Sequence, residues 1–125
     1  MSFSTLADLT INEAWVKNAP PVVPVRAAYL TLSNDADTSI TIRKILSPQF
    51  DRVEAHETVI KNGVYSMKPL NDLMIKPHST VTLKPKGKHL MLMMPTQSLN
   101  DLTHIQLEFQ TNDDQIIRIN APIKN

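Results

Sequence analysis

Four side chains able to hold a soft metal ion are spaced through the middle of the chain: His56, Met67, His89 and Met91. Imidazole accepts Cu(I), Cu(II) or Zn²⁺, whereas thioether sulfur is soft, uncharged and a poor partner for Mg²⁺ or Ca²⁺. The methionines therefore decide the preference. Two neutral imidazoles with two thioethers leave the charge of the ion largely uncompensated, which favours monovalent Cu(I). The chain has no Cys, so a His₂Cys blue-copper centre cannot form. Carriage of the ion is thus a stronger reading than electron transfer.

The elements that must position these groups are strands. Asn62-Gly63 lies between two alternating runs, residues 56–60 and 64–67, and Asn-Gly favours a type I′ hairpin because both central residues need positive φ. That turn places Thr58 opposite Met67 and puts His56 on the same face as both. His56 and Met67 become a diagonal cross-strand pair at roughly 7–8 Å. His89 and Met91, at i and i+2 on a later strand, also share a face. Met93 is one step farther along that face, as an auxiliary ligand or a shield. Leu90, Leu92 and Met94 face the other way and read as the core side.

The remaining candidates have ordinary structural roles. Met74, in the apolar triplet Leu73-Met74-Ile75, reads as core filler. His78, in a Pro-His-Ser turn, and His104, on the polar face of its run, read as surface histidines. Glu54 and Glu57 carry carboxylates harder than Cu(I) prefers and read as a solvated rim. Lys61, Lys68, Lys84, Lys86 and Lys88 read as a solvated face.

The order His56, ten residues, Met67, twenty-one residues, His89, one residue, Met91 resembles the full motif of the periplasmic copper chaperones of the PCu(A)C family. Flanking residues agree: Val53-Glu54-Ala55-His56-Glu57-Thr58, Asn62-Gly63-Val64, and Leu83-Lys84-Pro85 leading to His89-Leu90-Met91-Leu92-Met93. Ala27-Ala28-Tyr29-Leu30-Thr31-Leu32 is similar to the family as well, so the resemblance covers nearly the whole chain. The chain departs from it at Thr58, where many relatives carry a methionine, and at Met94-Pro95-Thr96, where relatives tend to have glycine. The resemblance implies a cupredoxin-like Greek-key β-sandwich and a Cu(I) carrier rather than an enzyme. It also implies delivery to a copper-accepting protein, such as cytochrome c oxidase subunit II for its copper A centre or a Sco-type thioredoxin-like protein.

Composition sets the outer limits. At 125 residues the chain fits one domain, 1–125, with room for a real core. A formal charge of +1 argues against a nucleic-acid partner. No apolar run is long enough to span a bilayer. Two glycines cannot build a phosphate-cradling loop, and neither a triad nor a paired-carboxylate cleft is present. A monomer is expected. Met1-Ser2-Phe3-Ser4-Thr5 lacks the basic and apolar regions of a leader, which alone points to the cytoplasm. The resemblance implies the reverse, a periplasmic protein whose leader has been removed.

Along the chain, strands are expected at residues 9–16, 26–33, 39–46 with a bulge, the hairpin 52–67, 73–75, 81–83, 89–94, 102–110 and 115–120. Lys68-Pro69-Leu70 is expected as loop. About nine short strands separated by turn residues make an all-β sandwich or barrel. Two other classes of function compete with carriage of Cu(I): a copper electron-transfer or redox protein, and a metal-free β-sandwich interaction module.

Overall fold

The computed structural model describes residues 8–125; the leader reading of Met1–Thr5 lies outside them. Ten strands make up the described chain: β1 Leu9–Lys17, β2 Val25–Asn34, β3 Ile40–Leu46, β4 Phe50–Lys61, β5 Val64–Leu70, β6 Leu73–Ile75, β7 Ser79–Leu83, β8 Lys88–Pro95, β9 His104–Thr111 and β10 Ile116–Lys124. They hydrogen-bond in the order β5-β4-β8-β2-β1-β10-β9-β3-β6, with β7 also on β2. A short parallel contact, Val16↔Ile123 and Lys17↔Lys124, links β1 to β10. The path folds over at this seam into two layers, the cupredoxin-like Greek-key sandwich.

Alternation drives the layers together. Leu30, Leu32, Leu90 and Leu92 from one sheet join Ile42, Ile105, Leu107 and Phe109 from the other in one buried cluster. Each such side chain contributes about 1.5–3 kcal/mol through burial. The opposite face of the β4-β8-β2 ladder is therefore free to carry chemistry.

The hairpin register follows the turn. Asn62 and Gly63 both adopt positive φ, 54° and 78°, and Thr58 stands opposite Met67. The expected bulge in β3 is present as a register shift between Ile42 and Lys44.

Three local expectations are corrected. Residues 68–70 continue β5 instead of forming a loop. Because β5 ends the strand path, Pro69 can sit there without removing a central ladder bond. Met94 does not face the core but is 48% exposed. Its φ of 57° breaks the alternation that would carry Leu90 and Leu92 on to it. Met74 is 50% exposed, since strand alternation buries its neighbours Leu73 and Ile75 and turns it outward.

Candidate metal centre

β8 lies between β4 and β2, so its side chains stand on a strand held from both sides. The β4–β8 register sets His56 directly opposite His89. Their ring centroids are 6.1 Å apart with the planes tilted by 42°. A metal–imidazole bond of about 2 Å puts each centroid about 3.2 Å from a shared ion, so two rings on one ion have centroids at most about 6.4 Å apart. The observed spacing fits within that limit.

Each ring is anchored through one nitrogen and bare at the other. His89 Nδ1 is 3.0 Å from the Gly87 carbonyl. A carbonyl only accepts, so Nδ1 carries the proton and Nε2 keeps its lone pair. His56 Nε2 is 3.0 Å from Glu54 Oε1; a carboxylate also accepts, which leaves the lone pair on Nδ1. Among the described residues, His56 Nδ1 and His89 Nε2 are the buried side-chain polar atoms without a hydrogen-bond partner. Leaving such an atom unpaired costs about 1–3 kcal/mol. Orientation of a ligand ring by a carboxylate or carbonyl on its far nitrogen is the usual arrangement around a bound metal.

The sulfurs come from both sides of this pair. Met91 stands opposite Glu54 on β4 and Ala27 on β2, on the face that carries His89. Met67 projects from the edge strand and is 57% exposed. Met67, His89 and Met91 line one shallow cavity of about 370 Å³, walled by Ala19 and Val23. His56 is not part of that lining. Met93, opposite Arg52 and Val25, lies one pair farther from the histidines and also outside the lining.

Two further residues at the cavity change character through burial. Arg26, 7% exposed, has its pKa lowered by desolvation, and desolvation raises that of the Tyr29 phenol. Tyr29 also meets Trp15, ring centroids 4.9 Å apart. His78 instead contacts Asp37 at 2.7 Å and His104 contacts Thr103 at 2.9 Å; both are exposed. Among the described residues no group of three or more His, Cys, Asp or Glu gathers. The bare imidazole nitrogens and the nearby thioethers on this face would suit a soft ion.

Sequence reasoning missed three supports. Glu54 is not a free rim residue, and its position two before His56 on a strand was a usable signal. Gly87 stands in the same relation to His89. Arg26 is the one charge in the small and apolar run 25–32, and composition alone does not say that it is buried.

A family model described as “Putative lipoprotein LpqE-like” matches residues 9–123. “Putative lipoprotein Lxx21020” of Leifsonia xyli subsp. xyli is 28% identical over 116 residues, covering 92% of this chain and 69% of that protein. “Uncharacterized protein RP573” of Rickettsia prowazekii is 29% identical over 100 residues, covering 79% of this chain and 55% of that protein. The match thus spans little more than half the length of the Rickettsia relative. Among solved structures, the copper-bound PCuAC domain from PmoF2 superposes with a TM-score of 0.79 at 17% identity, covering 99% and 98% of the two chains. The solution structure of Cu(I)-DR1885 from Deinococcus radiodurans gives 0.72 at 27% identity, covering 95% of this chain and 79% of that one. These matches bear out the family resemblance and the sandwich fold. Among the described residues no helix is long and apolar enough to cross a membrane.

Proposed function

The chain belongs to the LpqE-like family, and on that premise we propose that it is a Cu(I) carrier, with His56, Met67, His89 and Met91 as the ligands. The observation that carries this reading is the pair of facing histidines, each with one nitrogen buried and bare and the other held by an acceptor. The copper held by the PmoF2 domain and by Cu(I)-DR1885 supports the choice of metal.

The ligand set suits transfer. Thioethers and neutral imidazoles bind a soft monovalent ion without a compensating charge, so thiolates of an acceptor can displace them one at a time. Exposure sets the order. Met67 on its edge hairpin leaves first, and His89, 5% exposed on a central strand, leaves last. The acceptor we propose is a periplasmic copper-binding protein serving the copper A centre of cytochrome c oxidase, either its subunit II or a Sco-type protein. That choice rests on the motif's family resemblance.

X-ray absorption at the copper edge of the loaded, reduced protein tests the ligand set. Mixed nitrogen and sulfur scatterers at Cu(I) are expected. A first shell of nitrogen and oxygen only would remove the methionines from it.

A further inference from the structure

Arg26 is a buried cation that forms no ion pair with a carboxylate among the described residues. It is 7% exposed, and its guanidinium donates to the backbone carbonyls of Val25 at 3.0 Å, Pro20 at 3.1 Å and Ala19 at 3.2 Å, and also to that of Val23. Taking a charge out of water is costly unless such bonds replace hydration. Here they all run to one segment, residues 19–25, which comprises most of the β1–β2 connection and the first residue of β2. That segment contains Pro20, Pro21 and Pro24, none of which has an N–H to donate. It gains little from burying its own side chains, since Val22 is 88% and Val23 37% exposed. The planar fork of one arginine gathers its carbonyls.

The same segment walls the metal cavity: Ala19 and Val23 line it together with Met67, His89 and Met91. We infer that Arg26 is a positioning residue for the metal site, fastening the proline-rich segment as the wall that keeps water and competing ligands off the His89 side. Its hydrogen bonds go to the segment's carbonyls, and its effect falls on how long the ion is held. A lysine keeps the charge but has a single ammonium in place of the fork, so it cannot hold four carbonyls. This inference rests on the copper-carrier reading.

The test uses the full chain loaded with Cu(I) under anaerobic, reducing conditions, with release followed into excess chromophoric chelator. Arg26→Lys is expected to release copper about tenfold faster than wild type, the scale at which supporting groups act on metal sites. Pro21→Gly, which loosens the segment at an exposed position, is expected to move release in the same direction while the melting temperature of the apo protein stays near wild type. A wild-type release rate in Pro21→Gly overturns the proposal, including the case in which Arg26→Lys does not fold. So does Arg26→Lys with a lowered melting temperature and unchanged release, because that result makes the arginine structural only. Wild-type protein that takes up no Cu(I) overturns the carrier reading as well, which distinguishes the two failures.

Discussion

His56 and His89 stand opposite each other on adjacent strands, each with one nitrogen anchored and the other buried and bare. This pairing is unfavourable in a protein without a ligand and favourable in one with an ion between the rings. Burial without a partner is therefore evidence about use, and its consequences can be measured.

Glu54 holds His56 Nε2 at 3.0 Å and is itself only loosely paired, with Arg52 at 3.7 Å. Glu54→Ala should leave the fold intact, since that side chain is 40% exposed. Cu(I) affinity should fall about 10–100-fold, the usual loss when a carboxylate behind a ligating histidine is removed. A competition titration giving wild-type affinity would show that His56 needs no such support.

His89→Leu removes a buried nitrogen with no partner, and the Gly87 carbonyl keeps its bond from the Thr58 N–H at 3.2 Å. Stability of the apo protein in urea should stay within about 1 kcal/mol of wild type, or rise. The adjacent Leu90, 0% exposed, behaves otherwise: Leu90→Ala should cost about 2–5 kcal/mol. Equal losses at the two positions would mean that His89 is an ordinary core residue.

Acid should weaken copper binding, because protons compete with the ion for imidazole nitrogen and not for thioether sulfur. Affinity measured from neutral pH downward should fall with each step. An affinity flat across that range would argue against histidine ligation.

Tyr29 gives a separate alkaline signature. Desolvation raises its pKa above the ordinary value of about 10. The unfolded chain therefore loses this proton first as pH rises, and the folded state holds more protons there. The stabilisation is complete below about pH 10 and declines as pH climbs toward the folded-state value. Denaturation of wild type and Tyr29→Phe from pH 8 to 11 should show a constant difference up to about pH 10, then a relative loss in wild type. Parallel curves throughout would show that burial leaves this phenol unaffected.

Much of this architecture was legible in the sequence, because turn chemistry and two-residue alternation are local. Asn62-Gly63 alone set Thr58 against Met67, and the run from His89 to Leu92 separated a functional face from a core face. What was missed depends on non-local facts. That Pro69 continues a strand depends on β5 being an edge. The inward reading of Met94 failed at a positive φ. The hairpin turn gave only the His56–Met67 relation, whereas the His56–His89 pairing needs the β4–β8 register, set by strands far apart in the chain. Arg26 could be named as an odd charge, but its four carbonyl partners exist only once residues 19–25 fold back over it.

The most direct test is a Cu(I) titration against a chromophoric competitor under anaerobic, reducing conditions, with wild type beside Met67→Ala and His89→Ala. Because Met67 is 57% exposed, Met67→Ala should change apo stability by less than about 0.5 kcal/mol, so weaker binding in it reports the lost sulfur alone. A two-His, two-Met site predicts one tightly held equivalent in wild type and weaker binding in both variants. No competition with the chelator, or variants that bind as wild type does, would contradict it and leave the facing histidines a feature of packing.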